Sequence, residues 1–480
     1  MINTKSEKNQ KFSSSKLAEI LFYTFPLSFI IGNLAVTINI LLFIFSSLYV
    51  IKKKRLNFRF NNSYWLLIAF FLYFAISTTV QYPSLELINQ KVNQHFSLEY
   101  DPIIKSLLLF RFLILIFVID ALIFNKILDL KKFFLSSLIC TSFVGFDIII
   151  QYLTGTDLFG YKTLHDQSLW NSGPFGDEKI AGGYLKNFSF FAFIYVFVTC
   201  KNKNLKNFLS IFILTFLLTA ALLAGNRMPM LLFLFGCVLM FLFIKNLRFV
   251  ISLSLICFFS LFLIIIKLDS NYKDSYTRFF GDLNFMELID KNKKNNQENS
   301  EEKSFEIIDG KYSSVDVPKD LIFLKYSGYN QIYRTSIMLW KERPLTGSGL
   351  KSLRIKCWYL LEEDTRKFGV RPQNIACGNH SHHYYLQLLS EAGLIGTILL
   401  VIFFFILVKD SFYYIKKYNQ KENLYSILII PIIISIFLEI WPLRSSGSFF
   451  TNWNATFFWL NIGIFFSINK NNFFFKLYKK

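Results

Sequence analysis

Only five of the 480 residues are histidine, and acidic residues number 32 against 52 Lys and Arg. The sequence has neither a Walker-type phosphate loop nor a Rossmann glycine pattern, so it carries no nucleotide-binding signature. No internal repeat is visible, whereas a transporter built from repeats should show related halves. Alternation of period two, the mark of a membrane β-barrel, is missing as well. No cleavable signal peptide is apparent: the lysine-bearing N-terminus runs into a span with Glu19 near its start and no small-residue cleavage site.

Apolar length is what the chain has in excess. Hydrophobic residues make up 53% and aromatics 19%, with 58 Phe, and the mean hydropathy is +0.40. A soluble chain has no interior for that much apolar surface. Runs such as "LLLFRFLILIFVIDALIF" and "FVISLSLICFFSLFLIII" are long enough, at ~1.5 Å per residue, to cross a hydrocarbon core of ~30 Å. The reading is an all-α integral membrane protein with about twelve transmembrane helices. They are expected over 18–33, 35–51, 64–80, 105–124, 133–153, 182–199, 208–224, 228–244, 249–266, 384–408, 424–442 and 452–468. The first two are short and closely joined, which also fits one broken unit.

The net charge of +20 is not a nucleic-acid signal, because of where it sits. With the N-terminus inside, the inner segments 1–17, 52–63, 125–132, 200–207, 245–248, 409–423 and 469–480 hold 25 Lys and Arg against four acids. Basic residues confined to one face are the positive-inside pattern and complement anionic lipid heads. The expected organisation is an N-terminal bundle over 1–266, a large outer segment over 267–383, and three C-terminal spans within 384–480. Both termini are expected to be cytoplasmic. The outer segment begins with a charged, Asn-rich insert near 290–304 that has almost nothing to bury. Next, Tyr329, Ile332, Tyr333, Ile337 and Trp340 recur at helical spacing, predicting a helix against the bundle or membrane surface and ended by Pro344 and "TGSG". A shorter helix and a turn follow.

All five histidines fall on outer segments or their border: His95, His165, His380, His382 and His383. Three of them crowd into "CGNHSHHYYLQLLSEAGLIG", at the entry to a span. Asn379 or Ser381 is expected to cap this helix, with His380, Tyr384, Gln387 and Glu391 along one face and His382 over the outer mouth. The positive end of a helix macrodipole disfavours a charged imidazole, and a neutral one suits a general base. Gly393 and Gly396 would let a neighbouring helix come close and hold that face rigid. The alternatives are histidines that merely sit at the interface, and a metal site. For the metal, His-X-His-His offers imidazoles, but no Asp, Glu or Cys set at recognisable spacing accompanies it.

The only cysteines in the large outer segment are Cys357 and Cys377. In an oxidising periplasm they can pair and close the loop beneath the histidines. Cations also gather towards this side: Arg111 and Lys186 inside spans, Arg227 in the hinge "AGNRMP", Arg444 after the eleventh span, and Arg278 and Arg334 in the outer segment. Arginine presents a planar fork suited to phosphate oxygens. Snorkelling to the headgroups accounts for any one of these cations alone, and Asp147, Glu391 and Glu439 are available as structural counter-ions.

Four stretches resemble the O-antigen ligase family, which includes many O-antigen and exopolysaccharide polymerases. "AGNRMPMLL" is similar to its arginine-bearing hinge, and "YRTSIMLWKERPLTGSGLKSLR" to its arginine, Trp-bearing helix, Pro-Leu and glycine turn. "NHSHHYYLQLLSEAGLIG" is similar to its histidine block, with His383 standing where the family usually has Asn. "SGPFGDEKIAGGYL" is similar to its Gly-Pro-Phe turn, without the preceding arginine that some members carry. The resemblance implies a class-C-like glycosyltransferase fold in the bacterial inner membrane, with the large loop periplasmic. It implies transfer of a glycan from an undecaprenyl-diphosphate carrier to an acceptor sugar, either lipid A-core in a ligase or a second lipid-linked repeat in a polymerase. No metal or other cofactor is implied. His382 falls on the family's catalytic position with His380 beside it, and Arg227 and Arg334 fall on its arginines; Lys186, Arg111 and Arg444 are further candidates for the diphosphate. A multi-pass transporter or flippase is the competing class, though it should place its charges near the bilayer midplane. A scaffold for envelope assembly would be indifferent to changing His382 alone.

Overall fold

The computed structural model describes residues 13–276, apart from 59, 61, 93–100, 167 and 275, and residues 330–469, apart from 369–375, 422–423 and 446. The Asn-rich insert, Arg278 and His95 lie outside the described residues, as does the side chain of His165.

Among the described residues, eight helices are long and apolar enough to cross a membrane, and two shorter apolar helices accompany them. The first expected span is a broken pair, α1 (Ser13–Tyr23) and α2 (Phe25–Ile31). Pro26 opens α2, where its missing N–H costs nothing, and Gly32 at φ 124° turns the chain into α3 (Asn33–Lys54). At 11 and 7 residues these two helices reach only ~16 and ~10 Å, too short to span singly. Next come α4 (Asn62–Lys91), α5 (Asp101–Leu108), α6 (Phe110–Phe124), α7 (Leu130–Thr154), α8 (Ala181–Thr199), α9 (Lys203–Leu223), α10 (Arg227–Phe243) and α11 (Arg248–Leu268). Between α7 and α8 the antiparallel strands β1 (Leu164–Asp166) and β2 (Ser168–Trp170) form a short hairpin, a small β element among described residues that are otherwise mostly helical.

With α1–α2 and α5–α6 each running on as one broken unit, successive spans reverse direction, which sorts their connections onto two ends. One is basic: Lys52, Lys53 and Lys54 fill the last turn of α3, where cations complement the helix dipole. Asp129 caps α7 there by accepting from Lys131 N, and Asn202 caps α9 by accepting from Asn204 N and Leu205 N. The other end carries the β hairpin, the hinge before α10, and the helices α12 (Asn330–Glu342) and α13 (Ser352–Phe368). It also carries the histidine block ahead of α14 (Tyr384–Lys421). Then α15 (Ile430–Ile440) and α16 (Asn452–Asn469) complete the bundle. We refer to this second end as the histidine end.

Lipid tails are as apolar as Phe, so association inside a bilayer rests on close packing rather than on escape from water. The many aromatics supply it: Trp459 of α16 meets Phe71 at 5.4 Å and Phe458 at 4.7 Å, and Phe188 meets Phe457 at 5.2 Å. Helix α8 is central, with 78% of its apolar window buried, whereas α11, at 22%, lies at the periphery. Lys186 on α8 is therefore in the interior, where a charge needs a partner.

α14 is broken near its start, at Gly393 (φ 66°, ψ −172°). The break frees backbone groups that must be satisfied within the protein. The loop between α12 and α13 satisfies them: Ser348 N and Gly349 N donate to Ser390 O and Glu391 O, while Leu394 N and Ile395 N donate to Pro344 O and Leu345 O. A side chain on Gly393 would overlap Gly347 N and Leu345 O. Gly393 was expected to admit a neighbouring helix; it admits a loop backbone instead. Gly396 packs against the Tyr73 ring, whose hydroxyl donates towards Leu345 O, Thr346 O and Ala392 O.

Candidate active site

The histidine block lies ahead of α14 rather than within it. Gln387 N donates to His383 O at 2.9 Å, which makes His383 the N-cap, and Leu386 N donates to its ring Nδ1 at 3.3 Å. Neither Asn379 nor Ser381 takes the capping role, and His380 does not share the helical face with Tyr384, Gln387 and Glu391. The other His383 nitrogen, Nε2, is 2.7 Å from Pro442 O. A carbonyl only accepts and a backbone N–H only donates, so this ring is neutral with its proton on Nε2. Burial lowers the His383 pKa in the same direction. Tyr333 on α12 meets the ring edge-on at 5.7 Å.

His380 and His382 lie together, with ring centroids 4.2 Å apart. Burial, and then the neighbouring His382, push the His380 pKa down to about 4, so this imidazole is neutral at pH 7. Its Nε2 is buried and has no hydrogen-bond partner among the described residues, as is true of Ser381 Oγ. His382 has a left-handed backbone at φ 54°. For a residue with a β-carbon that conformation costs about 1–2 kcal/mol, and it persists only where the surroundings impose it.

Contacts from α12 and α13 hold the start of this segment. Thr335 Oγ1 on α12 reaches Ala376 O at 3.4 Å, and Ile332 lies under Gly378. Cys377 is disulfide-bonded to Cys357 on α13, with Cα atoms 5.5 Å apart. Arg334, between Tyr333 and Thr335, keeps a buried Nε that has no hydrogen-bond partner among the described residues.

The other arginine of interest, Arg227, opens α10. The hinge before it is built tightly. Gly225 (φ 78°) leaves no room for a side chain against Leu169 O, and Asn226 accepts from Gly182 N and donates to Lys179 O, both at 2.9 Å. Nothing in the sequence had drawn attention to Asn226, although it sits in the hinge motif.

The remaining cations are engaged elsewhere. Lys186 and Arg444 both bond Glu439, the latter at 2.7 Å, and all three are buried. Tyr384 OH adds a 3.4 Å contact to the same carboxylate, and the Arg444 guanidinium lies 4.7 Å over the Tyr384 ring. Lys186 and Arg444, expected on the diphosphate, thus make a structural ion cluster whose counter-ion is Glu439. Arg111 donates to Asn452 Oδ1 at 3.0 Å, and Asn452 in turn holds Asn33 O and Thr37 Oγ1. Glu391 is buried; its carboxylate accepts from Gln387 Nε2 at 3.3 Å and its backbone carbonyl from Gly349 N at 2.9 Å, so it ties α14 to the docked loop. Asp147 accepts from Leu158 N at 2.8 Å. Among the described residues no three His, Cys, Asp or Glu side chains come together as a metal-ligand set.

Residues 209–401 match the family model for O-antigen ligase, and the resemblance read from the motifs stands. The matched stretch contains the hinge, α12 and the histidine block. None of the curated proteins gives a significant match. The family match implies a glycan-transferring membrane enzyme of ligase or polymerase type.

Proposed function

We propose that this O-antigen ligase-like chain transfers a glycan from an undecaprenyl-diphosphate carrier to an acceptor hydroxyl at the periplasmic face of the inner membrane, with lipid A-core as acceptor. The observation that carries the reading is His382, held in a strained left-handed conformation against a neutral, desolvated His380. Strain retained at one residue beside unsatisfied polar atoms is a mark of a working site. His382 acts as general base on the acceptor hydroxyl. His380 presents an uncharged ring beside it, which keeps a second positive charge away when His382 takes up the proton.

The donor diphosphate becomes the leaving group. Its charge grows as the sugar–phosphate bond breaks, so a fixed guanidinium contributes most at the transition state. Arg334, whose buried Nε lacks a partner, and Arg227, at the first turn of α10, are the pair assigned to it. The polyprenyl tail lies along the apolar bundle. A polymerase would use the same groups and differ only in the acceptor, a second lipid-linked repeat.

The test is glycan transfer by the purified protein with an undecaprenyl-diphosphate-linked donor and defined acceptors. His382→Ala should lose at least ~10²-fold in rate, the lower end for a positioned acid–base group. Near-normal transfer by a folded variant would rule the base out. Transfer to lipid-linked repeats but not to lipid A-core would make the chain a polymerase.

A further inference from the structure

At the end of α7 the chain turns back on itself. Gly155, at φ 81°, reverses the path, Thr156 pairs with Lys162 as an antiparallel bridge, and Thr163 N donates to Gly155 O at 3.0 Å. The turn between them runs back alongside the helix it has just left. Gln151 Nε2 donates to Tyr161 O at 3.2 Å, Asp147 Oδ1 accepts from Leu158 N at 2.8 Å, and the Phe159 ring meets Phe143 edge-on at 6.3 Å. From Thr154 back to Phe143 the helix axis covers ~16 Å.

That level is the edge of the apolar slab. Helix α8 runs antiparallel to α7, with Phe191 against Phe134 at 5.1 Å and Tyr184 next to Cys140. Carried along both helices, these pairs set Ala181, the first residue of α8, beside Phe143. With 19 residues α8 is ~28 Å long, close to the ~30 Å of a hydrocarbon core, so its ends mark the slab's boundaries.

The turn shows outward what a water-exposed turn would hide: Leu158 is 53%, Phe159 62% and Tyr161 46% exposed. They continue a stripe of exposed apolar side chains on α7, namely Ile139, Phe143 and Phe146. The backbone of the turn is also closed on itself. Asp157 N donates to Tyr161 O and Gly160 N to Asp157 O, while Asp157 Oδ1 accepts from Phe159 N and Tyr161 N, and Asp147 takes Leu158 N. Every N–H from Asp157 to Tyr161 therefore has an acceptor inside the chain. Water would serve those groups at no cost; lipid would not, and each one left open there costs several kcal/mol.

We propose that the turn Asp157–Tyr161 is an interfacial anchor, seated on membrane lipid at the headgroup–acyl boundary beside α7. Its aromatic tip occupies the level where membrane proteins place amphipathic rings. The anchor also sets the height of the hinge. The segment that follows it bonds the end of α9 through Asn171 Nδ2 to Leu223 O (2.7 Å), and Leu169 O backs Gly225.

The test is spin-label accessibility in lipid nanodiscs. Phe159→Cys is labelled in the full chain with Cys140, Cys200, Cys237 and Cys257 replaced and the disulfide kept. The ratio of oxygen to nickel-chelate collisions at 159 should be severalfold above that of a label at Lys162→Cys and approach that at Ile139→Cys. Nickel access at 159 equal to that at 162 overturns the anchor. Exclusion of both reagents means a protein covers the turn and overturns it equally. If the cysteine-replaced chain does not fold, Leu158→Trp in the otherwise native chain replaces it. Its added fluorescence should be quenched by lipids brominated near the headgroup, and unquenched emission rejects the proposal.

Discussion

Two segments dock on the first turns of α14, and they differ in how completely they are satisfied. The loop at 344–349 meets the break at Gly393 with backbone bonds in both directions, reinforced by the Tyr73 and Ser77 hydroxyls. The segment 376–383, about two turns away, keeps a left-handed histidine and leaves His380 Nε2 and Ser381 Oγ without a partner among the described residues, while neighbouring α12 adds Arg334 Nε. A buried polar atom left open costs ~1–3 kcal/mol, so a protein that closes one junction and leaves the adjacent one open is retaining groups for something else to meet. The closed junction is scaffold. The open one is where we place the substrate chemistry.

Breaking the closed junction should have the largest effect. Gly393→Ala places a β-carbon onto Gly347 N and Leu345 O and holds an L-residue at φ 66°. The left-handed backbone costs about 1–2 kcal/mol and the overlap about 1–3 more, so folded protein in detergent should fall sharply by fluorescence-detected size exclusion. A Gly393→Ala chain as heat-stable as wild type would mean that the loop does not hold the break.

The open junction should respond in the opposite sense. His382→Gly relieves the backbone and removes the imidazole, so it should lose the same ~10²-fold in transfer rate as His382→Ala while unfolding no earlier than wild type. A variant that keeps its activity, or one that loses stability and rate together, would make His382 a structural residue. The arginines probe the same side less severely. Lysine keeps the charge and loses the fork, so Arg227→Lys and Arg334→Lys should each lower the rate by about tenfold at saturating donor. A change confined to donor affinity would show that geometry does not matter there, and wild-type rates in Arg→Ala variants would leave only snorkelling.

Little of this contrast was legible in the sequence, although its surroundings were. Apolar runs in a Phe-rich chain predict where helices lie, because span length depends on composition alone, and each expected span coincides with a helix or a broken helix. The position of the histidines at the head of a helix follows from the switch out of polar sequence at 384. Partner choice does not. Lys186 and Arg444 read as phosphate ligands because the acid that takes them, Glu439, lies 253 residues from Lys186. Gly393 reads as a helix-packing glycine because its partner is a loop closed by contacts no periodicity encodes. The cap was misplaced for a chemical reason: histidine is an uncommon N-cap, so Asn379 and Ser381 had the better claim on propensity.

That cap yields the smallest and most discriminating prediction. His383→Asn keeps a good capping acceptor for Leu386 N but is too short to hold Pro442 O, so at pH 7.5 it should cost no more than about 1 kcal/mol, the worth of one neutral hydrogen bond. Acid should narrow the difference. The native ring accepts at Nδ1 and is buried, so its pKa lies below the ordinary value of 6.5, and the unfolded chain binds the proton more readily. Stability from His383 is therefore fully present above pH 6.5 and is lost as pH falls through the depressed pKa of the folded state. Asparagine has no such slope. His380, whose pKa is about 4, contributes a slope of the same sign but is common to both chains and cancels. Melting temperatures of wild type and His383→Asn, separated at pH 7.5, should converge by pH 5. A gap that stays constant or widens would mean that the His383 ring is protonated in the native state, with Nδ1 donating, and the N-cap assignment would fall with it.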